Sequence, residues 1–225
     1  PTFGHETFSF LAVGSKWVHN NVSWAFMLAL AMIFVMWVAE NIPHRSDINW
    51  LRKGGGIFSK GHPPAKKFNA GQKLIFWSVI VLGVSISVSG LSLLFPFELN
   101  MFAATFAKIN AMGIGSVFGF GELREVLAPH EEMQYAQLWH AVVSFVLMAI
   151  ILAHIYIGSI GMEGAYDAMG SGEVEEQWAR EHHSIWVEEM MPEKSIASSQ
   201  AASAQAAPVT AAPVTAAPKK PAPKK

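Results

Sequence analysis

Three of the nine histidines lie inside long uncharged apolar segments, at positions 19, 140 and 154. An ionisable side chain at membrane depth is costly and usually faces a functional interior. His140 and His154 are 14 residues apart, which is about 21 Å and nearly four turns of a helix rising roughly 1.5 Å per residue. Both side chains would therefore lie on one helix face, one in each leaflet, as ligands of two stacked cofactors do.

His19 lies at a depth that matches His140 if their two segments run in the same direction. Two neutral imidazoles that face each other can supply both axial ligands of a b-type haem. The chain has no cysteine, so it offers neither disulfides nor thiolate ligands for zinc or iron–sulfur clusters. The alternative is that each histidine is an isolated interfacial residue bonded to a backbone carbonyl. The matched pair and the 14-residue spacing favour haem.

Three apolar segments must position these histidines. They cover residues 18–39, 74–95 and 138–160 and contain no acidic or basic residue. About 20 apolar residues span the hydrocarbon core as a helix, which satisfies its own backbone hydrogen bonds. With 52% hydrophobic and only 15% charged residues, the chain is predicted to be an all-α transmembrane helix bundle.

The distribution of Lys and Arg predicts the orientation. The connection between the first two spans carries seven of them, and the connection between the second and third is dominated by glutamates. The positive-inside rule then places the first connection and the C-terminus in the cytoplasm. Residues 1–17 and 96–137 would lie outside. The formal charge of -1 gives no reason to expect a nucleic-acid partner. The seven basic residues of the first connection are Arg45, Arg52, Lys53, Lys60, Lys66, Lys67 and Lys73.

Two observations lead us to expect a further helix upstream of this sequence. His154 needs a ligand partner in the inner leaflet, where the other spans have no histidine. The chain also starts outside the membrane without an initiator Met or a signal peptide. A preceding helix that carries the fourth ligand would explain both observations. His44, just past the first span, is the alternative partner.

The segments outside the spans are predicted from composition. Residues 96–137 contain apolar turns that favour one or two short interfacial helices. Residues 161–194 are polar and helix-compatible, and we expect them on the cytoplasmic surface with His182 and His183 solvated. Residues 195–225 are rich in Ala, Pro and Lys, contain APVTA twice, and are predicted to be disordered.

The start of the second span carries a capping signal. Asn69 is placed as an N-cap, and Gln72 follows three residues later as in a capping box. Further along, Gly83, Ser87 and Gly90 form a stripe of small residues. Such a stripe permits the close approach of another helix or of a haem face, and helix packing is the simpler explanation.

Three sequence blocks together resemble a known family. They are FNAGQKLIFW at 68–77, the histidine pair in LWHAVVSFVLMAIILAHIYIGS at 138–159, and QWAREHHSIW at 177–186. They are similar to the cytochrome b, or gamma, subunit of membrane-bound respiratory formate dehydrogenases. The resemblance runs from about residue 15 to 190. It implies a four-helix bundle of di-haem cytochrome b type, with the first helix having no counterpart here.

The resemblance also implies site residues and partners. His19 and His140 correspond to the ligands of the outer haem b, and His154 to one ligand of the inner haem b. Asn69, Gly71 and Gln72 correspond to a segment beside the quinone. An iron–sulfur beta subunit would pass electrons to this chain from a molybdenum or tungsten catalytic alpha subunit, in the bacterial inner membrane.

The resemblance therefore implies an electron-transfer subunit of a formate:quinone oxidoreductase that does not itself bind formate. Two other functions remain open. The same apparatus could serve a membrane-bound hydrogenase or another periplasmic oxidoreductase, which copurification would reveal. A haem-free anchor or transporter, whose histidines pair with other polar groups, would lack a haem spectrum.

Overall fold

Three long helices form the framework of the chain in the computed structural model, which describes residues 4–56 and 62–192. They are α1 (His5–Trp37), α3 (Ala70–Leu94) and α6 (Pro129–Tyr156), and no described residue is in a strand. Helix α3 packs against both α1 and α6. All three are long and apolar enough to cross a membrane, because each contains an 18-residue stretch of high mean hydropathy: 1.5 in α1, 2.2 in α3, and 2.4 in the span Pro129–Gly161 that includes α6. The predicted all-α bundle with three spans is confirmed.

Two of the long helices begin well before the apolar spans predicted from sequence. Helix α1 starts at His5 rather than residue 18, and α6 starts at Pro129 rather than residue 138. Proline suits the first position of a helix, and the carboxylate of Glu131 accepts the Ala128 N–H at 2.9 Å. Hydropathy detects only the apolar part of each helix. His19 is thus the fifteenth of 33 residues in α1, not close to its start.

The connection between α3 and α6 contains two short helices, as predicted. They are α4 (Met101–Ala111) and α5 (Ile114–Val117). The buried Glu132 of α6 accepts the backbone N–H of Ala103 at 3.0 Å and also that of Phe102. A carboxylate is favourable at a helix N-terminus, where backbone N–H groups lack partners. Glu132 therefore fixes the start of α4 to α6.

The described part of the connection between α1 and α3 contains α2 (Arg45–Arg52) and a 3-10 turn at Gly54–Gly56. A buried ion pair joins it to α3, with Lys73 Nζ 2.8 Å from Asp47 Oδ2. Lys73 also donates to the Ile42 carbonyl at 3.1 Å, and Asp47 accepts the His44 N–H at 2.6 Å. Both charges are therefore paired and hydrogen-bonded, which a buried charge requires.

Replacing Lys73 with Met is expected to destabilise the helical bundle by about 3–5 kcal/mol, because it leaves the buried Asp47 carboxylate without its cation. Lys67→Met is the matched control, since the Lys67–Glu40 pair is solvent-exposed and such pairs contribute about 0–1 kcal/mol. Denaturant unfolding in detergent, followed by circular dichroism, measures both. An equal decrease in the free energy of unfolding in the two variants would contradict a structural role for the buried Lys73–Asp47 pair.

Three further helices follow α6 after a π-helical turn at Ile157–Gly161. They are α7 (Asp167–Gly170), α8 (Glu176–His182) and α9 (Ser184–Met190). Residues up to 186 belong to one compact unit, and residues from 187 onward to another. The predicted disordered tail, 195–225, lies outside the described residues.

Candidate functional site

The imidazole rings of His19 of α1 and His140 of α6 lie next to each other, with their planes nearly perpendicular. Their ring centres are 6.1 Å apart and their planes are inclined by 86°. A metal–imidazole nitrogen bond is about 2.0–2.1 Å long, so two imidazoles on opposite sides of one metal place their ring centres roughly 6 Å apart. The spacing of the two rings would therefore allow His19 and His140 to hold one metal ion between them.

Both rings line a cavity of about 910 Å³ that is bounded by α1, α3 and α6. Its remaining walls are mainly apolar, which suits the hydrophobic body of a porphyrin and is typical of cofactor sites. The side chains here include Leu11 and Val18 of α1, Ile86 and Leu91 of α3, and Leu147 and Met148 of α6. Volume, apolar lining and the opposed imidazoles together fit a haem group.

One nitrogen of His140 is already engaged by α3. Its Nδ1 lies 2.9 Å from the Ser89 hydroxyl oxygen, and Ser89 is fully buried. This leaves Nε2 as the nitrogen available to a metal. Sequence reasoning missed Ser89, because nothing in the sequence pairs it with a histidine 51 positions away.

The stripe of small residues on α3 includes a contact with α1 and part of the cavity wall. A Cβ at Gly83 would lie 2.8 Å from a methyl carbon of Leu30, so that glycine permits close packing of α1 on α3. A Cβ at Gly90 would lie 3.2 Å from Cε1 of His140. Gly90 also lines the cavity, as does Ser87. The helix contact and the cavity wall therefore lie along the same stripe.

His154 lies on α6, 14 residues after His140, and is exposed. Among residues 4–56 and 62–192, no hydrogen bond or ring contact to its imidazole is seen. The ring of the alternative partner, His44, lies at the N-cap of α2, where Nδ1 is 2.9 Å from the Ser46 hydroxyl. The described residues thus place no second imidazole against His154.

The capping box at the start of α3 is confirmed. The Gln72 N–H donates to Asn69 Oδ1 at 3.0 Å, and the Asn69 N–H donates to Gln72 Oε1 at 2.9 Å. Both side-chain oxygens are therefore occupied, whereas both side-chain NH₂ groups have no partner within the described ranges. A Cβ at Gly71 would lie 3.0 Å from the Trp50 ring, so this glycine makes room for α2.

The prediction that His182 and His183 are solvated is wrong for His183, which is 6% exposed. Its Nδ1 lies 2.8 Å from the Lys66 carbonyl. His182 stacks between Trp178 and His62, with ring centres 4.6 and 4.1 Å away. Burial lowers the pKa of both histidines, and for His182 the neighbouring His62 lowers the pKa further. Both imidazoles are thus favoured in the neutral form at pH 7.

Known proteins similar to this chain include cytochrome b556 subunits of formate dehydrogenases. The nitrate-inducible formate dehydrogenase cytochrome b556(Fdn) subunit of Escherichia coli K12 is 29% identical over 180 residues, which is 79% of this chain and 70% of the relative. The cytochrome b556(fdo) subunit of formate dehydrogenase from the same strain is 24% identical over 174 residues, covering 77% of this chain and 70% of the relative. The formate dehydrogenase cytochrome b556 subunit of Haemophilus influenzae is 25% identical over 176 residues, covering 76% and 62%.

The family comparison covers the bundle and both facing histidines. Residues 2–172 match the family model described as prokaryotic cytochrome b561. That range contains α1, α3 and α6 in full. The chain therefore belongs to the prokaryotic cytochrome b561 family, whose name implies haem b as the cofactor.

Proposed function

We propose that this chain is the cytochrome b subunit of a formate dehydrogenase and passes electrons from an iron–sulfur partner through b haems to a quinone. The observation that carries the proposal is the His19–His140 pair, 6.1 Å apart on the wall of a cavity of about 910 Å³. The similarity to three formate dehydrogenase cytochrome subunits supports the choice of complex.

The proposed ligand roles follow from the positions of the histidines. His19 and His140 bind the iron of the outer haem, and the apolar cavity walls keep water away from it. His154 supplies one ligand of an inner haem, about 21 Å further along α6 at roughly 1.5 Å per residue. When bound, haem supplies reversible one-electron transfer. The chain's own contribution is to hold two such groups on one helix across the membrane.

The proposed quinone site lies at the first turn of α3. The side-chain NH₂ groups of Asn69 and Gln72 are hydrogen-bond donors whose oxygens are held by the capping box. Donors held in place can stabilise the negative charge that develops on a quinone oxygen during reduction. Gly71 belongs to the same turn. Protons would come from the cytoplasm, the nearer aqueous phase.

The proposed partners and location follow from this direction of electron flow. An iron–sulfur beta subunit delivers electrons on the outer side, and a molybdenum or tungsten alpha subunit oxidises formate. The complex lies in the bacterial inner membrane, with the C-terminus in the cytoplasm. Formate does not bind to this chain.

The identity of the complex can be tested by purifying the tagged chain from its native membranes and adding formate under anaerobic conditions. Formate dehydrogenase subunits should copurify, and formate should reduce the haem. Copurification of a hydrogenase, with haem reduced by hydrogen and not by formate, would instead assign the chain to that complex. A preparation without a haem spectrum would contradict both assignments.

The proposed orientation predicts the outcome of reporter fusions. Alkaline phosphatase joined after Gly121, between α5 and α6, should be active, because the enzyme folds only outside the cytoplasm. The same reporter joined after Gly61 should be inactive, since the connection there carries an excess of Lys and Arg. A cytoplasmic reporter such as green fluorescent protein is the complementary control. The reverse pattern at both sites would contradict the proposed direction of electron flow.

A further inference from the structure

Ser89 is a buried polar residue in the C-terminal part of α3, and its hydroxyl contacts a histidine of another helix. It is 0% exposed. The hydroxyl oxygen lies 2.9 Å from Nδ1 of His140 and 3.0 Å from the carbonyl oxygen of Ile86. Since a buried hydroxyl needs partners for both its proton and its lone pairs, these two contacts determine which group receives the hydroxyl proton and which group donates to the oxygen.

The Ile86 carbonyl can only accept hydrogen bonds. Ser89 therefore donates its hydroxyl proton to Ile86, and its oxygen is left to accept a proton from His140. An acceptor beside Nδ1 favours the tautomer of His140 that carries its proton on Nδ1.

The same tautomer is the one that a metal ligand needs. With the proton on Nδ1, the lone pair of Nε2 is free to bind iron. Histidine ligands commonly donate their other N–H to an acceptor, which fixes the ring orientation and makes the bound nitrogen more basic. Gly90 limits the ring from the same helix, because a Cβ there would lie 3.2 Å from Cε1 of His140.

The two histidines differ in whether their rings have a hydrogen-bond partner on another helix. His140 is held by α3, whereas the described residues include no hydrogen-bond partner for the His19 ring. A change on α3 should therefore act on one of the two ligands and leave the other as it is.

We propose that Ser89 is a positioning residue for His140: its hydroxyl fixes the tautomer with the proton on Nδ1, orients the ring, and thereby lowers the reduction potential of the outer haem. This rests on the proposed role of His140 as an iron ligand. A more basic ligand stabilises the ferric state, so removal of the acceptor should raise the potential.

The test is Ser89→Ala in the full chain, with the matched control Ser92→Ala. Ser92 is also a buried serine of α3, and its hydroxyl donates to the Leu99 carbonyl at 3.1 Å. Potentiometric titration gives the midpoint potential, and electron paramagnetic resonance of the ferric haem reports the orientation of the axial imidazoles.

Ser89→Ala should bind the outer haem with a more positive midpoint potential and altered g values, while Ser92→Ala matches the wild type. Loss of the outer haem from Ser89→Ala alone would also support positioning of the ligand. Unchanged potential and g values, a negative shift of the potential, or equal changes in Ser89→Ala and Ser92→Ala would overturn the proposal. If His140→Ala kept the outer haem, the ligand assignment itself would fail, which is a separate result.

Discussion

Alanine at either His19 or His140 is expected to remove the outer haem completely. The two rings approach from different helices with centres 6.1 Å apart, and the described walls of the cavity offer mainly apolar side chains as substitutes. After either substitution, only one of the two imidazoles remains, and we expect that one imidazole is not enough to retain the haem. The haem content of each purified variant, measured as the pyridine haemochrome, should therefore fall by one haem per chain.

The chain offers matched controls on the same two helices. His5 lies at the start of α1 and His130 in the first turn of α6, and both are exposed. His5→Ala and His130→Ala should keep the full haem content. His154→Ala should remove only the inner haem. Unchanged haem in His19→Ala or His140→Ala would show that the facing pair does not bind iron.

Removing the amide donor of Gln72 is expected to slow quinone reduction by roughly tenfold to a hundredfold, since a hydrogen bond to a charged group contributes about 1.5–3 kcal/mol. Gln72→Glu is the most informative variant, because it separates the loss of the donor from the loss of the capping box. Glutamate keeps an oxygen that can accept the Asn69 N–H, as in a natural capping box, and a carboxylate is favourable in the first turn. The variant therefore loses the NH₂ donor and keeps the cap.

The measurement separates quinone chemistry from the steps before it. In the purified complex, formate should still reduce both haems of Gln72→Glu at the normal rate, while quinol formation slows. Asn69→Asp follows the same logic, because Asp is also a good N-cap. Gln72→Leu removes the NH₂ donor together with the oxygen that accepts the Asn69 N–H, while the Asn69 side chain still accepts the backbone N–H of residue 72. Normal quinone turnover in Gln72→Glu would exclude this turn as the site.

The sequence was informative where a local pattern determines the structure. Uncharged apolar runs of sufficient length predicted the three long helices, because a backbone in lipid must satisfy its own hydrogen bonds. The Asn69–Gln72 capping box needs only residues three positions apart, and it is present as predicted. The resemblance to formate dehydrogenase cytochrome b subunits is confirmed by the similar proteins.

The features that were missed depend on tertiary contacts. The starts of α1 and α6 lie beyond the apolar runs, where hydropathy no longer distinguishes helix from connection. Burial of His183 results from its contact with the Lys66 carbonyl, 117 positions away in the chain. The Ser89–His140 contact likewise joins two helices. No local pattern predicts such pairs, and the ligand roles themselves stay predictions.

The most direct test of the account is the near-infrared magnetic circular dichroism of the oxidised His154→Ala chain, in which only the outer haem should remain. The charge-transfer band of low-spin ferric haem reports the identity of its two axial ligands. We predict a band typical of two imidazoles in His154→Ala, and its absence when His19→Ala or His140→Ala is added. A bis-imidazole band that survives the second substitution would contradict the central claim that this pair binds the outer haem.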